Sequence, residues 1–159
     1  MVKLVLSLLI SVSAFAQDYI AQTDSYSCGP VALYNALVYK GRPVDLNTIK
    51  ELAKTHEPSM EYPYGGTLIY DFKRAAEVLN LDVQEIDKKD IKRDGTYLVK
   101  MVAPINGDLH HMYGHMIFMH DGKAYNVRYN EIESNVDWIL LQAILYEEEN
   151  NAPIVLELK

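Results

Sequence analysis

The sequence predicts an α+β domain in which helices come first and an antiparallel sheet second. Three observations carry this. The first half holds segments with helical apolar spacing and helix punctuation, from Pro30 to Asn80. The second half holds short strand-forming runs, Thr96–Ala103 and His115–His120, and an Asp121-Gly122 turn. With 159 residues, 49% apolar and 23% charged, the chain has the length and composition of one folded domain able to bury a core without disulfides.

In chain order, residues 1–16 (MVKLVLSLLISVSAFA) pair a lone Lys3 with an apolar run ending Ala14-Phe15-Ala16. Small residues at those two positions suit signal-peptidase cleavage after Ala16, and the run is too short for an ordinary membrane-spanning helix of about 20 residues. This predicts a secreted or periplasmic chain with no stable membrane insertion after cleavage, its single domain spanning 17–159. The alternative is a cytoplasmic protein in which the run is a core element. Export would carry the single cysteine, Cys28, into a space that oxidises thiols. It would then be bridged to another chain, buried and inert, or a reactive nucleophile.

Pro30 fits a helix's first turn and Gly41 fits a helix end. Between them Val31–Val38 is apolar except for Asn35, as expected of a central, buried helix. Asp45 caps a second helix with Ile49, Leu52 and Ala53 on one stripe, and Thr67 caps a third with Leu68, Phe72, Ala75 and Leu79 inward. The third helix stops at Asn80. A strand over Thr96–Ala103 leads into a Gly/Asn/His loop over Ile105–Gly114, and His115–His120 forms the next strand. Asp121-Gly122 turns it back into a return strand over Lys123–Tyr129. A short helix over Val136–Leu145 and a last strand over Pro153–Leu158 complete the reading.

Charge excludes one class of partner. Lys plus Arg number 15 and Asp plus Glu 22, a net charge of −7. Nucleic-acid binding needs clustered cations, so none is expected.

The chemistry centres on Cys28. A thiol at a helix N-terminus meets unpaired N–H groups and the positive end of the helix dipole, both of which favour thiolate. Gln22, six residues earlier, could fold back so that its amide and the Cys28 N–H form an oxyanion hole. His115 could approach the thiol if the sheet packs on the helix end, acting as base and then acid. Asn126, 11 residues on, could hold the imidazole through its side-chain oxygen. Each residue alone has an ordinary structural reading: a buried small hydrophobe, a solvated amide, a sheet histidine, a turn residue. His111 and His115 have metal-ligand spacing on a helix, but the segment is rich in strand formers, so no metal is assigned, and no cofactor is expected. Tyr62, Tyr64 and Tyr70 could wall a groove or simply pack. Glu147-Glu148-Glu149 reads as a solvated helix end.

Taken as an ordered set, Gln-x5-Cys-Gly-Pro before a central helix and His-x10-Asn across a hairpin resemble the papain-like cysteine peptidases. Within them the set is similar to the bacteriocin-processing, double-glycine peptidase group. The resemblance runs through Ile20–Leu37 (IAQTDSYSCGPVALYNAL), Tyr64–Leu81 (YGGTLIYDFKRAAEVLNL) and Gly114–Val127 (GHMIFMHDGKAYNV). It implies a papain-like fold, its central Cys-bearing helix packed on the C-terminal sheet. It implies hydrolysis of a peptide or protein substrate, after small residues, by Cys28, His115 and Asn126 with Gln22. Asn126-Val127 stands where the family has Asp-Pro, with Asn130 and Asp121 the other candidates for that role. The length leaves no room for the transporter domains often fused to this family, so a free-standing member is expected. The alternatives are an inactive binding or immunity module on the same shell, or an amidase or acyl transferase using the same residues. The oligomeric state and natural substrate are not legible.

Overall fold

A computed structural model describes residues 18–105, 108–127, 130–134 and 153–159. Three helices, α1 (Cys28–Tyr39), α2 (Leu46–Leu52) and α3 (Ile69–Val78), precede a six-stranded sheet. Its strands are β1 (Val83–Ile86), β2 (Thr96–Ile105), β3 (Asp108–His120), β4 (Lys123–Tyr125), β5 (Glu133–Ser134) and β6 (Ile154–Leu158). They lie in the order β1-β6-β2-β3-β4-β5, every neighbouring pair antiparallel. The α+β class and the Cys-bearing helix packed on the sheet are as the sequence predicts. The predicted residue 1–16 signal and the helix over 136–145 lie outside the described residues.

Sheet alternation sorts the core into two clusters. Leu98, Met116, Phe118 and Leu156 face α1, whose Ala32, Leu33, Ala36 and Leu37 are fully or almost fully buried against them. Tyr97, Val99, Ile117, Met119 and Val155 face the other way, around Ile91. Helix α1 is buried over Cys28–Leu37, which is why its sequence is apolar on nearly every side. Its one polar core residue, Asn35, is satisfied: Oδ1 accepts the Ile20 N–H at 2.9 Å and Nδ2 donates to the Ile20 carbonyl at 3.1 Å. That pair straps the segment leading to Gln22 along the helix.

Asp45 caps α2 as expected, Oδ2 accepting the N–H groups of Asn47 and Thr48. Thr67 does not cap α3. Leu68 occupies that position and is exposed, while the Thr67 hydroxyl pairs with the Thr55 hydroxyl at 2.9 Å. Asn80 ends the helix in the left-handed region, φ 53°.

The hairpins need two corrections. The expected loop over Ile105–Gly114 is largely strand, because β3 begins at Asp108 and pairs with β2 to its far end, so His115 lies inside a strand rather than opening one. Pairing with β2, broken only by a register shift between Pro104 and Ile105, overrides the weak strand preference of that polar stretch. The return strand stops at Tyr125, because Asn126 turns left-handed with φ 66°. The Asp121-Gly122 turn is as predicted, both residues at positive φ (49° and 71°) as a two-residue hairpin of this hand requires. Strands β1 and β5 are short, and no periodicity announces them.

Candidate active site

Cys28 is the first residue of α1 and 8% exposed, on the wall of a cleft of about 450 Å³. One side of the cleft comes from the helix entry, the α2–α3 connection and the start of α3, including Tyr26, Tyr64, Thr67 and Tyr70. The sheet supplies the other through Lys100, Gly114 and Met116. Tyr64 and Tyr70 thus wall the groove as one sequence reading had it, whereas Tyr62 stacks flat on His56, rings 3.9 Å apart. Gly29 is needed for close approach: a Cβ there would lie 3.2 Å from the Thr67 side chain.

The end of β4 opens a notch in the sheet. Beyond the Phe118↔Tyr125 pair, β3 has no β4 partner, and the main chain of Met116 turns its polar groups into this gap. The Met116 N–H donates to the Cys28 sulfur, and the Met116 carbonyl accepts from Asn126 Nδ2 at 3.4 Å. His115 Nε2 lies 2.7 Å from the main-chain carbonyl oxygen of Asn126. Strand alternation turns the His115 side chain away from Met116, so it reaches this edge beside the strand rather than across the α1 face. Thiol and imidazole are connected through a relay of two residues: Met116 meets the thiol, Asn126 meets the imidazole, and Asn126 Nδ2 joins the two through the Met116 carbonyl.

A carbonyl only accepts, so His115 Nε2 carries the proton and the lone pair sits on Nδ1. This fixes the tautomer, but not as expected. The main chain of Asn126, rather than its side-chain oxygen, holds the ring. The side-chain Oδ1 instead accepts the Gln22 N–H at 3.1 Å. Asn126 is fully buried and touches three segments at once.

Gln22 is also buried. Its Nε2 donates to the Asp24 carbonyl at 2.5 Å. Sequence reasoning missed Asp24, whose Oδ1 accepts the N–H groups of Tyr26 (3.0 Å) and Ser27 (2.7 Å) and whose Oδ2 meets Lys50 at 3.2 Å. It fixes the turn that delivers Cys28. The signal was an Asp three residues before Ser27 at a helix entry, an Asx-turn spacing. Partial burial opposes the Asp24 charge, but hydrogen bonds from the Ser27 hydroxyl and the two N–H groups, with Lys50, hold the carboxyl below its ordinary value.

Electrostatics correct the sequence expectation of a favoured thiolate. Burial pushes the Cys28 thiol up, outweighing the N–H groups of Met116, Gly29 and Cys28 itself that favour the anion; the Asp24 charge pushes it further up. Burial lowers His115, against the Asn126 carbonyl, which favours the imidazolium. The resting pair is therefore neutral thiol and neutral imidazole. Alkylation by iodoacetamide is expected to rise only above the ordinary cysteine value of 9.0, with no fast phase near neutrality. A midpoint near pH 6 would instead show a preformed ion pair.

The remaining candidates lie elsewhere or hold the frame. His120 Nδ1 pairs with Thr96 Oγ1 at 2.9 Å and its ring lies 4.3 Å from that of Tyr39. The Asn130 N–H donates to the Gln22 carbonyl at 3.0 Å, and Asp121 forms the hairpin turn. His111 and His115 share a strand, not a helix, and among the described residues no cluster has the makeup of a metal site. None of the described helices is long and apolar enough to cross a membrane.

No curated protein matches the chain. Among solved structures it is similar to the peptidase domain of Streptococcus ComA, a bifunctional ABC transporter involved in quorum sensing. The identity is 17% and the TM-score 0.54, over 89% of this chain and 100% of that one, a likeness of fold. The family model described as "Peptidase C39 family" matches residues 16–127. A match over that much of the chain, on this fold, makes the protein a member of the peptidase C39 family of bacteriocin-processing, papain-like cysteine peptidases.

Proposed function

We propose that Cys28 is the nucleophile, His115 its base and acid, Asn126 the residue that orients the imidazole, and Gln22 with the Cys28 N–H the oxyanion hole. The observation that supports this best is the notch at Met116, whose main chain meets both the thiol and the Asn126 amide, while the imidazole rests on the Asn126 carbonyl.

A neutral resting pair gives a definite order of events. Peptide binding in the cleft displaces water and brings the scissile carbonyl to the sulfur. The thiol proton passes to His115 Nδ1 as Sγ bonds to the carbonyl carbon. Nε2–H of the imidazolium stays on the Asn126 carbonyl, which supports the positive charge. The oxyanion meets the N–H of Cys28 and the second N–H of Gln22 Nε2, the first being held by Asp24. The C–N bond then breaks and the proton on Nδ1 goes to the leaving amine. Water, deprotonated by the same nitrogen, cleaves the thioester and restores the thiol. Small residues before the cut follow from the family likeness, and Gly29 leaves room near the sulfur. The apolar run of residues 1–16 supports action outside the cytoplasm.

Digestion of an unbiased peptide library tests the assignment. The parent is expected to cut, and Cys28→Ala to lose about 10⁴-fold or more. Cleavage surviving in Cys28→Ala would overturn it.

A further inference from the structure

We propose that Lys100 is a specificity-determining residue whose ammonium receives a substrate carboxylate in the cleft beside Cys28. The proposal deepens the peptidase reading above and rests on it.

Lys100 stands where the strand pattern calls for an apolar residue. Along β2, Leu98 faces α1 and is fully buried, and Lys100 is the next residue on that face. Its register partner is Met116, so the lysine crosses from β2 toward the strand that carries His115. Gly114, one residue before His115, makes the crossing possible. A Cβ at Gly114 would lie 3.0 Å from Lys100 Cε and 3.9 Å from Nζ. The aliphatic stem lies over the glycine and the charge stands at the cleft wall.

Among the described residues that line the cleft, Lys100 is the one with a formal charge. The aspartates on the flanking segments are engaged elsewhere, Asp24 with Lys50 and Asp71 with Lys54 and Arg74. Among the described residues Lys100 has neither an ion pair nor a hydrogen bond, unlike Lys50, Lys54, Lys73, Lys89 and Lys123. A cation at the cleft wall with no ion-pair partner among the described residues is open to an incoming anion. In a protein of net charge −7, a cleft whose formal charge is positive also draws anionic groups that the rest of the surface repels. A carboxylate bound there supplies the missing partner through a charge-assisted hydrogen bond. Its source is an Asp or Glu side chain near the cut, or the terminal carboxylate of a short substrate.

The test uses a peptide cut by the parent in the library digest, remade with Glu, Gln or Lys at each position flanking the cut. Every peptide carries an amidated C-terminus, and one Gln peptide is also made with a free carboxylate. The parent is expected to favour Glu over Lys at one position by about tenfold in kcat/KM. Lys100→Gln is expected to level that ranking, Lys100→Glu to invert it and Lys100→Arg to keep it, each variant read beside its circular dichroism spectrum. A preference for the free-carboxylate peptide alone, lost in Lys100→Gln, would support the subsite and identify the terminal source. An unchanged ranking in folded Lys100→Gln and Lys100→Glu would overturn the subsite while leaving Cys28 as nucleophile. Cleavage equal in parent and Cys28→Ala would overturn the underlying peptidase assignment itself.

Discussion

Replacing His115 by alanine is expected to lower kcat/KM by about 10³-fold, the usual size of a positioned general acid–base. The loss follows from the neutral resting pair. A thiol raised by burial cannot supply thiolate at neutral pH without a base beside it, so the imidazole is needed in the transition state rather than only in the ground state. The parent's kcat/KM should rise with pH through a midpoint below the ordinary histidine value of 6.5, because burial disfavours the imidazolium in the free enzyme. In His115→Ala that limb should vanish, leaving a weak rate that grows only as the thiol itself ionises. A variant retaining both the rate and the limb would show that another group is the base.

Asn126→Ala is expected to cost about 3 kcal/mol of stability, read by urea unfolding. Two terms add. The buried Gln22 N–H and Met116 carbonyl lose their partner, worth about 1–3 kcal/mol. Alanine must also adopt a φ of 66°, worth about 1–2 kcal/mol for a residue with a Cβ. Asn126→Gly removes the second term and should recover part of the loss. The glycine variant is informative for activity as well. The imidazole rests on the main-chain carbonyl, which Asn126→Gly retains, so its activity should fall by about tenfold rather than to the level of His115→Ala. Equal loss in the two variants would return the orienting role to the side-chain oxygen.

Much of this was legible in the sequence because the decisive signals are local. Pro30 and the apolar run after it announce α1, Asp45 its neighbour, and Asp121-Gly122 the hairpin that brings Asn126 back toward His115. The fold and the family resemblance follow from those pieces and from Gln22-x5-Cys28-Gly29. What sequence could not reach depends on long-range pairing. Nothing local says that β3 starts at Asp108, because β2 imposes it. Nor does it say that Asn126 contributes its carbonyl rather than its amide, which follows from the left-handed turn after Tyr125. The helix N-terminus favours a thiolate locally, but burial, which no local pattern shows, reverses the outcome at Cys28. Lys100 was visible as a charge within a strand, yet its meaning depends on Gly114 lying under its side chain on the neighbouring strand.

The most direct check is a crystal structure of the protein carrying a peptide aldehyde on Cys28, read for the distance between Sγ and His115 Nδ1. A hemithioacetal is expected at the mouth of the notch, with Nδ1 within about 4 Å of the sulfur and Nε2 still on the Asn126 carbonyl. An imidazole turned to the far face of the sheet, with the sulfur adduct formed and no nitrogen near it, would contradict it.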